Sequence, residues 1–218
     1  MNNYIDLKNE KDYEKLKEVA DVIKQGGIVI FPTETVYGIG TNGLDELAIE
    51  KLYKIKKRPL NKPISLLVSD FEMIKKVTKD ISDVEYKIMK KFFPGPLTII
   101  LKKRDIVPDI LTNGGDTVGI RMPDNGITKK LIEYVGLPIA TTSANISGKI
   151  SGTNIEDIIK DFDGKVDYFI DNGKSKIGIG STVIKIENNN IIILREGNIK
   201  KENIEKTIIC NKNEIKKI

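Results

Sequence analysis
Histidine is absent from the 218 residues. Without an imidazole, Ser-His-Asp triads, His-ligated zinc and histidine general-base chemistry are excluded. Cysteine occurs once, at Cys210. That excludes an internal disulfide and a cysteine-rich metal site, and it fits a reducing compartment, so the expected localisation is cytoplasmic. Tryptophan is also absent and aromatics total 6%, little for a surface that stacks on RNA bases. No apolar run approaches the roughly 20 residues that cross a bilayer, so no membrane contact is expected. The opening MNNYIDLKNEKDYEKL has no apolar signal core. Any chemistry must rest on Asp and Glu, Lys and Arg, hydroxyls, backbone amides or a weakly held Mg²⁺, with no protein metal site.

The remainder is ordinary for a soluble globular chain, with 39% hydrophobic and 31% charged residues. The balance of 36 basic against 31 acidic residues gives net +5, which permits an anionic partner without demanding one. Helical periodicity predicts helices over 12–25, 44–57, 71–77, 84–93, 127–135 and 155–162, the last with Thr153 as N-cap and Glu156 completing a capping box. Apolar runs predict strands at 27–31, 64–68, 97–101, 117–122, 138–141, 166–170, 181–186 and 191–195. The last two make a hairpin across Asn188–Asn190. Helices and strands alternate first and strands cluster later, which predicts a mixed α/β (α+β) domain.

Several stretches could carry chemistry. FPTETVYGIG, from Phe31 to Gly40, follows a buried strand and reads as a hydroxyl-rich loop with Gly38 and Gly40 free to turn. Such loops hold ligands in open α/β sheets, although a polar connection reads the same way. The cluster Lys54 to Pro63 offers Lys56, Arg58 and Lys62 as a phosphate clamp, or simply a cationic helix end. Arg121 sits in the apolar strand VGIRMP, where a charge is either paired or at a ligand site. TTSANISG, from Thr141 to Gly148, GIGSTV around Ser181, and LREG with Arg195 add two hydroxyl-rich loops and another arginine at a strand end.

In order, PTETVYG, KKRP, PGPLT, VGIRMP, TSANISG, STVI and LREG resemble the YrdC/TsaC family, the threonylcarbamoyl-AMP synthases, over roughly Asp12 to Ile199. The resemblance implies a twisted mixed sheet with flanking helices around a large, concave, basic cavity. It implies a catalytic domain over 1–200, followed by a short extension over 201–218. It also implies a reaction in which L-threonine, bicarbonate and ATP give L-threonylcarbamoyl-AMP and pyrophosphate, with Mg²⁺ held mainly through phosphates. A separate threonylcarbamoyl transferase complex then uses the adenylate to modify the adenosine beside the anticodon in tRNA.

By the same resemblance, Lys56 and Arg58 are catalytic. With Lys62 they hold the triphosphate, and Ser143, Asn145, Ser181 and Arg195 contact the nucleotide. Thr33, Thr35, Arg121 and Thr141 fix threonine and its carbamate. Arg58→Ala and Arg121→Ala should each abolish most activity and leave the fold intact. Departures exist: many relatives carry a histidine in the segment Ile64–Val68, and Lys57 and Glu196 stand where glycine and proline are common. The alternative reading is a module of the same fold that contacts double-stranded RNA or tRNA. Small hydroxyl and glycine loops fit a nucleotide pocket better.

Overall fold
The structure, a computed structural model, describes residues 3–7 and 13–209. Asp12 and Cys210 lie outside the described residues. The strands are β1 (Tyr4–Asp6), β2 (Val29–Phe31), β3 (Gly38–Asn42), β4 (Ser65–Leu67), β5 (Leu97–Lys102), β6 (Thr117–Arg121), β7 (Ile139–Ser143), β8 (Tyr168–Asp171), β9 (Thr182–Glu187) and β10 (Asn190–Arg195). They form one sheet in the order β1-β8-β2-β3-β7-β4-β6-β5-β9-β10. It is mixed: β2 runs parallel to β8 and antiparallel to β3, and β4 runs parallel to β6 and antiparallel to β7. The expected α/β class and hairpin are both present.

The helices are α1 (Lys15–Lys24), α2 (Glu46–Lys56), α3 (Phe71–Val77), α4 (Asp83–Phe92), α5 (Asp109–Thr112), α6 (Gly126–Val135), α7 (Ile155–Phe162) and α8 (Lys201–Ile209). In α1, Leu16, Val19, Ala20 and Ile23 form the buried stripe, spaced as one helix face requires. Asp45 caps α2 by accepting from the backbone N–H groups of Leu47 and Ala48. At the other end Lys57 takes a left-handed conformation with φ of 50°, the geometry that favours glycine. The cap of α7 is Asn154, which accepts from the Asp157 N–H. Thr153 was the expected cap; a side chain one residue nearer the helix takes the bond. Ile204 of α8 is fully buried in the common core.

The largest departure from expectation is β3. Gly38 and Gly40 read as hinges of a loop, yet they lie in the middle of the sheet between β2 and β7. A Cβ on Gly40 would lie 2.7 Å from the Ala140 carbonyl oxygen, and one on Gly38 would lie 2.8 Å from the Phe31 ring. Here glycine permits close approach of neighbouring strands. The connecting loop shrinks to Pro32–Tyr37, all of it buried.

Candidate functional site
The loop Pro32–Tyr37 enters the site already fastened on several sides. Thr33 Oγ1 donates to the Val36 carbonyl at 2.6 Å and lies 2.8 Å from Thr35 Oγ1. From below, the Thr128 hydroxyl of α6 donates to the Pro32 carbonyl. The Tyr37 N–H bonds to Gly152 O and the Ala144 N–H to Tyr37 O, which fastens the loop after β7. The Ile177 and Gly178 N–H groups bond to Glu34 O and Thr35 O, which fastens the loop before β9. Three segments far apart in sequence therefore share one backbone network.

Beside them opens a cavity of about 390 Å³. Eight of the expected site residues line it: Thr33, Thr35, Arg58, Arg121, Thr141, Ser143, Ser181 and Arg195. The sheet brings them together. Thr141 of β7 stands in register with Gly40 of β3 and Ser65 of β4, and Arg121 of β6 with Leu67 of β4. No carboxylate is among the lining residues.

Arg121 is buried at 8% exposure. Its Nη2 lies 2.8 Å from Glu34 Oε1 and 2.9 Å from Thr35 Oγ1, which accepts a hydrogen bond from it. Arg58 and Arg195 are held otherwise. Arg58 donates through Nε to Lys62 O at 2.9 Å and through Nη2 to Pro63 O at 2.8 Å. Arg195 donates through Nε and Nη2 to Ser181 O and through Nη2 to Ser181 Oγ at 3.0 Å. Burial pushes both guanidiniums below their ordinary range, and Arg121 and Arg58 add repulsion at Arg195. Two clustered cations with only neutral acceptors make a site for anionic oxygens.

Three expected residues do not line the cavity: Lys56, Lys62 and Asn145. Lys56 is buried at 1% exposure. Its Nζ donates to Ser143 O at 2.5 Å and to Asn145 O. Burial, and then the Arg58 charge, lower its pKa to about 7. Asn145 also turns inward, donating to Lys149 O at 2.6 Å and accepting from Ser143 Oγ at 2.5 Å. The two side chains brace the loop that presents Ser143. Lys62 is exposed, and its carbonyl accepts from Arg58 and from the Tyr53 hydroxyl.

The cavity also contains residues that no expectation assigned: Ser65, Leu67, Thr98 and Ser151. Thr98 Oγ1 lies 2.8 Å from Ser181 Oγ, tying β5 to the loop before β9. Thr98 sits within the PGPLT motif; Ser151 has only its place in a hydroxyl-rich loop as a signal. A separate surface hollow is lined by Lys54, Lys57, Lys149, Lys160 and Lys165. Lys54, Lys149 and Lys160 there face Glu50, Asp161 and Asp157 at 2.7, 2.7 and 3.0 Å. The arginine cavity is therefore the stronger anion site.

Known proteins resemble this chain in sequence and in fold. A family model described as "Telomere recombination", Sua5_yciO_yrdC, matches residues 21–197. Threonylcarbamoyl-AMP synthase of Pyrococcus abyssi is 42% identical over 94% of this chain and 60% of its own length. A putative threonylcarbamoyl-AMP synthase of Methanocaldococcus jannaschii is 47% identical over 86% of this chain and 90% of its own length. The crystal structure of P. abyssi Sua5 complexed with L-threonine superposes with a TM-score of 0.92 at 41% identity, covering 94% of this chain and 61% of that one. The chain thus spans about 60% of the length of the Pyrococcus relative. A match over most of its residues, in sequence and in fold, places the chain in the Sua5/YciO/YrdC family.

Proposed function
We propose that this chain joins L-threonine, bicarbonate and ATP into L-threonylcarbamoyl-AMP, with release of pyrophosphate. The observation that carries the reading is that one cavity holds arginines of two kinds. Arg121 is paired with a carboxylate among threonine hydroxyls; Arg58 and Arg195 face only neutral acceptors. An amino acid suits the first kind, and a triphosphate the second. The similarity to threonylcarbamoyl-AMP synthases supports the same activity.

The threonine amine takes up carbon from bicarbonate, water leaves, and a carbamate forms. A carbamate oxygen then attacks the α-phosphorus of ATP. The new O–P bond forms as the bond to the β-phosphate bridging oxygen breaks, and pyrophosphate departs. No proton relay through histidine is required, because positioning and charge stabilisation dominate such transfers. Arg121 receives the threonine carboxylate, with Thr33, Thr35 and Thr141 around the amino acid. Arg58 and Arg195 take phosphate oxygens, and Ser143 and Ser181 contact the nucleotide. Lys56 and Asn145 act on the nucleotide through the loop they brace, and Lys62 through the carbonyl that orients Arg58.

Mg²⁺ travels with the triphosphate. Among the described residues no group of three or more acidic, histidine or cysteine side chains could hold an ion, and phosphate oxygens and water would supply its ligands. The product is a mixed anhydride, an activated donor for a transferase acting on tRNA. Among the described residues no helix is long and apolar enough to cross a membrane, in keeping with a cytoplasmic role.

The test is incubation of the chain with ATP, bicarbonate and Mg²⁺, with and without L-threonine, following pyrophosphate. Threonine-dependent release is expected, with an adenylate of the matching mass. Release that is indifferent to threonine would sink the reading.

A further inference from the structure
Glu34 is 7% exposed and Arg121 8% exposed. Glu34 Oε1 lies 2.8 Å from Arg121 Nη2. Yet neither Glu34 oxygen has an aligned hydrogen-bond partner, and neither does the buried Nε of Arg121. The contact is an ion pair held off hydrogen-bond alignment. A buried carboxylate left so incompletely satisfied costs stability, and such costs concentrate at functional sites. Glu34 does not line the cavity, whereas Arg121 does. The carboxylate stands behind the guanidinium.

Both partners are fixed at their backbones. Arg121 ends β6 in register with Leu67. The Glu34 carbonyl accepts from the Ile177 N–H at 2.9 Å. The Arg121 side chain is thus drawn to one wall, against Glu34 and the Thr35 hydroxyl. Arg58 and Arg195 lie near enough for Arg195 to feel both Arg58 and Arg121 as repelling charges.

We infer that Glu34 is a positioning residue that aims Arg121 at a substrate carboxylate, so that the cavity prefers the charged amino acid to its uncharged amide. The inference rests on the synthase reading above and adds a selectivity device to it. Glu34 never touches substrate; it acts through Arg121.

The experiment compares L-threonine with L-threoninamide, which lacks the carboxylate charge, in wild type and Glu34→Gln. Pyrophosphate release is measured alongside calorimetric binding of each amino acid. The expected result is a threonine KM raised by about tenfold in Glu34→Gln, the scale of one lost charge-assisted contact. The ATP KM should move by less than about twofold, and the preference for threonine over threoninamide should fall about as far as threonine affinity does. A merely structural role would weaken both amino acids equally and leave that preference unchanged, which overturns the inference. If Glu34→Gln does not fold, Glu34→Asp is read instead. It keeps the charge but shortens the reach, and the same narrowed preference is expected; an unchanged preference overturns the inference there too. Failure of the synthase reading shows itself separately, as wild type that releases no threonine-dependent pyrophosphate. The two binding affinities still decide the role of Glu34 in that case.

Discussion

Two kinds of arginine line the cavity and use the same side chain in opposite ways. Arg121 meets a carboxylate 2.8 Å away and is 8% exposed. Arg58 and Arg195 are fastened only by carbonyls and one hydroxyl. A paired arginine is part of the wall and contributes direction. An arginine on neutral acceptors keeps its charge available to a ligand. The contrast teaches that removing each should fail differently, since one loss strands a buried charge and the other does not.

Arg121→Ala should produce the largest change. It leaves Glu34 buried and unpaired, so stability falls by about 3–5 kcal/mol, and threonine-dependent turnover falls by about a thousandfold. This revises the expectation that its fold would stay intact. Urea unfolding together with pyrophosphate kinetics checks both halves, and an unchanged unfolding midpoint would erase the distinction between the paired arginine and the other two. Arg58→Ala should come next. Turnover falls by about a hundredfold, as for loss of one group that stabilises developing charge. Stability changes by less than about 1 kcal/mol, because the lost bonds are to exposed loop carbonyls. A large drop in its unfolding midpoint would mean that Arg58 too is a wall residue.

The smallest effect sharpens the contrast between a cation that braces and one that binds. The Lys56 pKa is about 7 when folded against an ordinary 10.5. Unfolding therefore takes up a proton between those values, and this group makes stability rise with pH across that window. Burial holds the Tyr4 and Tyr37 hydroxyls well above their ordinary range, and their contribution to stability declines only above about pH 10. Between pH 7 and 9, Lys56→Met should flatten the rise in urea midpoint seen for wild type. A slope identical to wild type would show that Lys56 is not desolvated as its position implies.

Much of the fold was legible because periodicity reports burial directly, as in Leu16, Val19, Ala20 and Ile23. Strand β3 was not, because Gly38-Ile39-Gly40 offers one large side chain and no alternation. Its place depends on neighbours at Phe31 and Ala140 that local sequence cannot reveal. The site was legible as a set of motifs, and eight of the eleven residues they pointed to line the cavity. The direction of Lys56 was not legible. At a helix end a lysine reads as solvated or phosphate-facing, and its actual acceptors lie 87 and 89 residues away. Ser151 and Thr98 stayed hidden because a single hydroxyl carries no periodic or charge signal.

The backbone network around Pro32–Tyr37 has a consequence for motion. Four amide bonds, from Tyr37, Ala144, Ile177 and Gly178, tie the β2–β3 connection to the loops after β7 and before β9. None of the three can lift away without breaking bonds that also hold another, so local opening involves all of them as one cooperative unit. Any ligand that displaces one of these loops would therefore have to displace all three.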